Sequence, residues 1–176
     1  FLPDEFWWNG MGRLDPKLIK AIEKKSVKID VIDDRTPAIE INGVKVEFLN
    51  PRKGLGQDIN DASMVLRLTK GTRSFLFTGD MGFKGETALL NKDISADVIK
   101  VPHHGSSTSS SESFIGKVSP SIAVVSSGFV NPFGMPGNDV MERYKKAGVT
   151  VYRTDMSGAV IVTTDGKGIA VLTGAQ

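Results

Sequence analysis

The chain has 176 residues, of which 22 are basic and 20 acidic, giving a net charge of +2. This near-balance gives no electrostatic argument for nucleic-acid binding, because dedicated binders usually carry a marked basic excess. The absence of cysteine excludes disulfides and thiolate metal sites, and no apolar run approaches the ~20 residues of a membrane-spanning helix. The first residues, FLPDEFWWNG, lack the features of a signal peptide and an initiator methionine, so we expect the chain to begin inside a longer protein.

The first half of the chain is predicted to form one helix and two β-hairpins. Residues 16–25 place apolar side chains on one face, as an amphipathic helix does. The Asn42-Gly43 step interrupts an alternating apolar pattern, which is the strongest short-range signal of a hairpin. A second hairpin is predicted from strands at 63–69 and 73–78.

The second half is predicted to alternate strands and helices before a last hairpin. Buried strands are predicted at 96–102, 121–128 and 149–154. Helices are predicted at 85–93, 111–119 and 138–148. The last hairpin, at 158–173, turns at Asp165-Gly166. Antiparallel and crossover connections are both present, which predicts an α+β or layered α/β fold in one domain spanning residues 1–176.

Two motifs with metal-binding side chains follow successive predicted strands. FLFTGD ends in Asp80, and DVIKVPHHGSS carries His103 and His104, the only histidines in the chain. A neutral imidazole is a good ligand for zinc, iron or manganese. Because successive strands of this kind commonly lie side by side, we expect the Asp80 carboxyl group and one of the two histidine rings to converge on a common cation.

The adjacent histidines are expected to have different roles. In an extended backbone they would point to opposite sides, so one would bind the metal and the other would face substrate or support the ligand. The alternative is that Asp80 closes a turn or caps the next helix, while the histidines are hydrogen-bonded in a polar loop. Each motif alone leaves both interpretations open.

Several segments together resemble the metallo-β-lactamase superfamily, and more closely the C-terminal hydrolase domain of ComEC-type DNA-uptake competence proteins. They read NDASMVLRL, FLFTGD, ADVIKVPHHGSSTS, AVVSSG and VYRTDMSGAVIVTTDG. The resemblance covers about residues 37–173. It implies an αββα sandwich, of which this chain would hold the C-terminal portion without the N-terminal strands and the HxHxDH metal motif.

The resemblance also implies residue roles. Asp80 matches an aspartate that bridges two metal ions, and His104 matches a ligand of the second metal. His103 matches a neighbour that contacts phosphate or donates a proton, so His103 and Asp80 would be the catalytic residues. Asn60 and Ser63 fall where many members carry another histidine ligand, and would line the site.

Two further features bear on activity. The hydroxyl run Ser106–Ser110, with Ser106 and Ser107 nearest the histidines, would line the site and hold a phosphate, or cap the following helix, and we favour capping. Met135 stands where the family usually has a histidine, and a thioether is a poor general acid and a poor ligand for hard metals. Zinc normally takes at least four donors, so this chain alone is expected to bind metal weakly or not at all and to be inactive.

For the intact protein, the resemblance implies a metal-dependent phosphodiesterase or nuclease linked to DNA uptake. It would use two divalent ions, zinc or manganese, and act on single-stranded DNA. Its partners would be a membrane channel in the same polypeptide and a second copy of itself, with this soluble domain on the extracytoplasmic side of a bacterial membrane. Two alternatives stay open: a catalytically degenerate module that binds DNA or a partner, and an ester hydrolase of the same fold, for example on phosphorylcholine.

Overall fold

A computed structural model of the chain describes residues 3–52 and 58–174. It begins with a parallel pair of strands, Glu5–Trp8 (β1) and Lys28–Val31 (β2), separated by the helix Pro16–Lys24 (α1). The Asp15 side chain caps this helix by accepting a hydrogen bond from the Lys17 N–H at 2.6 Å. Aspartate at this position followed by proline is a typical helix start.

A seven-stranded sheet forms the centre of the molecule. Its strands, in spatial as well as chain order, are Ile39–Ile41 (β3), Val44–Asn50 (β4), Val65–Lys70 (β5), Arg73–Phe77 (β6), Val98–Lys100 (β7), Ile122–Val125 (β8) and Thr150–Arg153 (β9). Pairing is antiparallel from β3 to β6 and parallel from β6 to β9. The carboxyl ends of β6, β7 and β8 therefore meet at one edge of the sheet, where α/β proteins commonly bind ligands.

Helices connect the parallel strands in turn. They are Phe83–Leu89 (α2), Glu112–Val118 (α3) and Asn138–Lys146 (α4). A short helix, Thr154–Ser157 (α5), then leads into an antiparallel hairpin of Val160–Thr164 (β10) and Ile169–Thr173 (β11). No helix within the described ranges combines the length and the hydrophobicity required to cross a bilayer.

The two faces of the sheet are packed differently. On one face Leu76 belongs to the main core together with Phe114 of α3 and Tyr144 of α4. Because successive strand residues point to opposite faces, the neighbours Phe75 and Phe77 lie on the other face, where they line a cavity together with β10 residues. A smaller core beside β1 includes an edge-to-face contact between Trp7 and Phe48, whose ring centroids are 5.2 Å apart.

All of the predicted helices and hairpins are present, with ends that differ by a few residues, and the α+β class is confirmed. The strand predicted at 96–102 is shorter, because after Lys100 the chain bends into a 3₁₀ turn at Pro102–Gly105. The β1–β2 pair and α5 were not predicted. Each of these elements has four residues, which is too short for a periodic pattern to be recognised.

Candidate metal centre at the sheet edge

Asp80 lies at the carboxyl end of β6, in a turn that closes on Ser63. Gly79 has φ +56°, and a Cβ atom there would lie 2.7 Å from the Ser63 Cβ atom, so a side chain is excluded. The Ser63 Oγ atom accepts a hydrogen bond from the Asp80 N–H at 3.0 Å. This bond fixes the Asp80 backbone, while the side chain stays 46% exposed and can reach a ligand.

The His104 ring faces Asp80 in a defined orientation. Its Nε2 atom lies 3.4 Å from Asp80 Oδ1, and its Nδ1 atom lies 2.6 Å from the Ser126 carbonyl oxygen at the end of β8. Because a carbonyl can only accept, Nδ1 of the neutral ring carries the proton and Nε2 directs its lone pair toward Asp80. This is the tautomer in which Nε2 binds a metal ion.

The 3.4 Å separation between Asp80 Oδ1 and His104 Nε2 fits two ligands of one cation. Bonds of about 2.1 Å at a tetrahedral angle place two zinc ligands about 3.4 Å apart. An N–H···O hydrogen bond is usually shorter, about 2.9–3.0 Å. Across residues 3–52 and 58–174, however, no group of three His, Cys, Asp or Glu side chains could hold a metal ion. The pair therefore supplies two ligands, and an ion bound there needs further donors from water or from elsewhere.

Hydrogen bonds between the turns after β6 and β7 hold the pair together. The Gly79 carbonyl accepts from the His103 N–H at 3.1 Å and from Lys100 Nζ at 3.2 Å. The Thr78 hydroxyl donates to the Lys100 carbonyl at 2.7 Å. The two turns are thus joined by one main-chain bond and by two bonds from side chains to main-chain carbonyls, and these bonds hold Asp80 and His104 near each other.

The predicted extended backbone at the histidines is wrong. His103 and His104 have φ values of 46° and 54°, in the left-handed region. The chain reverses here because the His103 N–H is bonded to Gly79 while its carbonyl accepts from the Ser106 N–H at 2.8 Å. The His103 Nδ1 atom is buried and, among the described residues, has no hydrogen-bond partner. His103 lies beside the pair, and its catalytic role stays a prediction.

Lys100 is a site neighbour that the sequence reasoning missed. Its Nζ atom donates to the Gly79 and Val101 carbonyls at 3.2 and 3.4 Å. Burial lowers the pKa of Lys100, while the negative charge of Asp80 opposes that shift. A signal was available, since lysine is rarely buried and this one stands in a strand predicted to be buried.

The two predicted residues upstream of β5 lie at different distances from the site. Ser63 contacts Asp80 directly, whereas Asn60 lies one turn earlier and accepts the Ser63 N–H at its carbonyl, at 2.9 Å. Between them, Asp61 accepts two amide N–H groups at the start of α2, at 3.0 and 3.1 Å. This segment therefore joins the Asp80 turn to the helix that follows it.

The serine run is bonded within the protein. The Ser106 hydroxyl lies 3.0 Å from that of Thr108, and the Ser107 hydroxyl donates to Asp139 of α4 at 2.8 Å. The favoured capping role is wrong, because the N-cap of α3 is Ser111, whose hydroxyl accepts from an N–H in the first turn at 3.3 Å. The run stabilises its own loop and joins it to α4, and its contact with substrate stays a prediction.

A buried glutamate fixes the far end of the histidine loop. Glu86 of α2 is 1% exposed, and its carboxylate accepts the N–H groups of Ser110 and Ser111, the second at 2.9 Å. Burial raises the pKa of Glu86, although the hydrogen bonds from these serines oppose the shift. The helix after Asp80 is thereby joined to the loop that contains His104.

The family follows from a match that covers most of the chain. Residues 5–128 match the model of the metallo-beta-lactamase superfamily. The chain belongs to the metallo-β-lactamase superfamily. The resemblance inferred from the sequence motifs is therefore confirmed.

Two relatives of this metallo-β-lactamase chain carry competence names. The chain is 42% identical over 122 residues to Competence protein ComA of Neisseria gonorrhoeae, covering 68% of this chain and 18% of that protein. It is 32% identical over 148 residues to ComE operon protein 3 of Bacillus subtilis, covering 83% of this chain and 19% of that protein. The chain thus spans less than a fifth of the length of these two relatives.

The crystal structure of a predicted metal-dependent hydrolase from Parabacteroides distasonis supports the metallo-β-lactamase fold. It matches with a TM-score of 0.51 at 17% identity, over 88% of this chain and 78% of that one. A likeness at this level of identity concerns the fold alone.

One cavity adjoins the candidate centre of this metallo-β-lactamase chain. It measures about 420 Å³ and lies against His104 and the strand end at Ser126. Met135 and Phe133 form part of its wall. The Met135 thioether, which by the sequence resemblance stands where the family usually has a histidine, therefore lies in the cavity wall beside His104.

Proposed function

We propose that the intact protein is a metal-dependent phosphodiesterase that cleaves single-stranded DNA during uptake. In this proposal the chain contributes Asp80 and His104 to a centre of two divalent ions, zinc or manganese. The observation that carries it is the 3.4 Å approach of Asp80 Oδ1 to His104 Nε2, with Nδ1 held by the Ser126 carbonyl. The competence names of two relatives support DNA as the substrate.

The chain's own groups have separable tasks in this proposal. A bound divalent ion polarises the phosphoryl oxygen and lowers the pKa of a bound water molecule. Asp80 and His104 position the ion, and the Ser126 carbonyl keeps the His104 lone pair directed toward it. The Lys100 ammonium, held at the Gly79 carbonyl, adds positive charge next to Asp80 and so favours an anionic phosphate. His103 orients the phosphate or donates a proton to the leaving oxygen.

The location and domain organisation are part of the same proposal. Coverage of less than a fifth of each of these relatives supports a domain within a longer polypeptide. We propose that this polypeptide includes a membrane channel. On this view the domain lies on the extracytoplasmic side, where incoming DNA would be met. The missing metal ligands would come from the HxHxDH segment of the intact protein, since zinc needs about four donors.

Metal binding is tested by calorimetry on this chain. We expect weak binding of Zn²⁺ or Mn²⁺ that is lost in Asp80→Ala and in His104→Ala. The matched control is Glu142→Ala, which removes an exposed carboxylate on α4 and should change nothing. Tight binding of two equivalents by the unaltered chain would show that the ligand set is complete without an upstream motif.

Catalysis is tested on the intact protein with labelled single-stranded DNA and Mn²⁺. Asp80→Ala and His104→Ala should abolish cleavage, because each removes one of two ligands from this half of the centre. A parallel panel with a phosphorylcholine ester separates a nuclease from an ester hydrolase. Cleavage that is unchanged in Asp80→Ala contradicts the proposal.

A catalytically degenerate module that binds DNA or a partner is the second candidate. Two observations favour it: the described residues supply a two-ligand pair, and Met135 lies in the cavity wall beside His104. It predicts DNA binding by the intact protein without cleavage at any divalent-ion concentration. Replacing Met135 with histidine should then leave the protein inactive.

A further inference from the structure

We propose that the cavity beside His104 is a nucleobase-binding site, in which a base of a single strand stacks on Phe133 while its phosphate lies at the Asp80–His104 pair. This inference rests on the proposed function and names the part of the substrate that the chain recognises. It assigns a role to the loop between β8 and α4, whose exposed aromatic residues the metal centre does not use.

The cavity has the size and position that such a site requires. Its volume of about 420 Å³ falls within the ~300–1,000 Å³ typical of small-molecule sites. His104 forms part of its wall, and the Nε2 atom of the same ring faces Asp80 at 3.4 Å. A nucleotide whose phosphate is bound at the pair would therefore have the cavity directly beside it.

The loop that encloses the cavity is braced internally. The Asn131 side-chain amide donates to the carbonyls of Gly128 and Met135 at 3.2 and 2.7 Å, and its oxygen accepts the Met135 N–H at 3.0 Å. One side chain thus ties together both ends of an eight-residue turn. A braced loop can present side chains at a fixed position, and this reduces the ordering cost of binding.

This loop presents three exposed apolar side chains, and two of them, Phe129 and Phe133, are aromatic while Val130 is aliphatic. Phe133 is 79% exposed and Phe129 is 89% exposed. Exposed apolar surface next to a binding groove is typical of an interaction site, and every nucleobase offers a flat face for stacking on an aromatic side chain. The cavity walls carry no carboxylate among the residues that line them, so they do not repel a polyanionic strand.

Single-stranded DNA fits this arrangement better than duplex DNA. Bases in a duplex are stacked on each other and their faces are covered, whereas bases in a single strand are free to stack on protein. Stacking involves contact with the face of the base and not with its hydrogen-bonding edge. The site should therefore bind all four bases with modest preferences.

The test compares two labelled strands of equal length by fluorescence anisotropy with this chain and Mn²⁺. One is a twelve-residue oligothymidylate and the other is an abasic strand with the same number of phosphates. Phe133→Ala should weaken oligothymidylate binding about tenfold and leave abasic binding unchanged. Phe133→Trp should retain or strengthen binding, because it offers a larger stacking surface.

Leu172→Ala is the matched control, since Leu172 is also an exposed apolar residue but lies on β11. It should bind both strands as the unaltered chain does. Equal binding of the two strands, or equal affinity of Phe133→Ala and Leu172→Ala, overturns the base site. The base site is also overturned if Phe133→Ala binds DNA as the unaltered chain does but no longer self-associates or no longer binds anionic lipid vesicles.

Cleavage by the intact protein separates this inference from the proposed function. If Asp80→Ala abolishes cleavage of both strands while Phe133→Ala cleaves them like the unaltered protein, the hydrolase stands and the base site fails. If Asp80→Ala leaves cleavage unchanged while Phe133→Ala still loses affinity for the base-containing strand, the hydrolase assignment fails and base binding stands.

Discussion

Removing the carboxylate of Glu86 should destabilise the fold strongly. In Glu86→Ala, the N–H groups of Ser110 and Ser111 both lose their acceptor. An unsatisfied buried donor costs about 1–3 kcal/mol. Ser110 is fully buried, whereas Ser111 is partly exposed and can bond to water. Because the truncation also leaves a small cavity, and because relief of carboxylate burial offsets part of the loss, we expect about 3 kcal/mol of destabilisation.

Glu86→Gln should cost less than Glu86→Ala, because the neutral amide keeps one acceptor and has no charge to be buried, although it turns an NH₂ group toward the other N–H. Its deficit should depend on pH. Burial raises the pKa of Glu86 above 4.5, so the contribution of this group to stability is greatest below that value and is lost as the pH rises through the folded-state pKa. The difference in stability between the unaltered chain and Glu86→Gln should therefore shrink as the pH rises.

Urea denaturation monitored by circular dichroism measures both variants. Glu112→Ala removes a glutamate at the exposed start of α3 and should stay within about 0.5 kcal/mol of the unaltered chain. Hydrogen exchange at Ser110 and Ser111 gives an independent reading, since both amides should exchange faster in Glu86→Ala. If Glu86→Ala is as stable as the Glu112 control, the buried carboxylate does not hold the histidine loop, and the reasoning is refuted.

Two further predictions concern the turn before Asp80 and the strand start at Asp97. Gly79→Ala should destabilise the fold by about 3 kcal/mol, because Gly79 has a left-handed backbone and its added Cβ atom would lie 2.7 Å from the Ser63 Cβ atom. The control Gly116→Ala lies in α3 with open space around it and should stabilise the fold by about 1 kcal/mol. Thermal melts of the two variants measure the difference. Partial burial alone would raise the pKa of Asp97, but hydrogen bonds from Ser74 and the Arg73 guanidinium hold it below its usual 3.8. The stabilisation by ionised Asp97 is therefore present above pH 3.8 and is lost as the pH falls through the folded-state pKa. Asp97→Asn should lower the free energy of unfolding by about 2 kcal/mol at pH 7. Denaturation at a series of acidic pH values should show this difference disappearing.

The sequence was sufficient to predict the pairing of Asp80 with His104, because that prediction needed only chain order. The chain runs from a strand that ends in aspartate, through a helix, to a strand that ends in histidine. This order places the aspartate and histidine side chains at one edge of a parallel sheet. The left-handed backbone at the histidines was not predictable in this way. It depends on the bond from the His103 N–H to Gly79, and that bond exists only after β6 and β7 have paired.

Glu86 and Lys100 show a second limit. In the sequence, Glu86 belongs to GETALL and is indistinguishable from an exposed helix residue, because its burial is determined by the loop that packs over α2. Lys100 lies in a strand that was correctly predicted, but the direction of its side chain toward Gly79 depends on the neighbouring turn. Short-range patterns predict elements, whereas the contacts between loops depend on which elements become neighbours.

The register between β6 and β7 makes the candidate centre sensitive to chain length. Leu76 of β6 pairs with Ile99 of β7. Asp80 follows Leu76 by four residues and His104 follows Ile99 by five, and these short turns bring the carboxylate and the imidazole together. Inserting one residue in either turn would displace a donor by about 3.3 Å, as much as the whole gap between them. Insertions between α2 and β7 leave that count unchanged, so natural length variation should be tolerated there and excluded from the two turns.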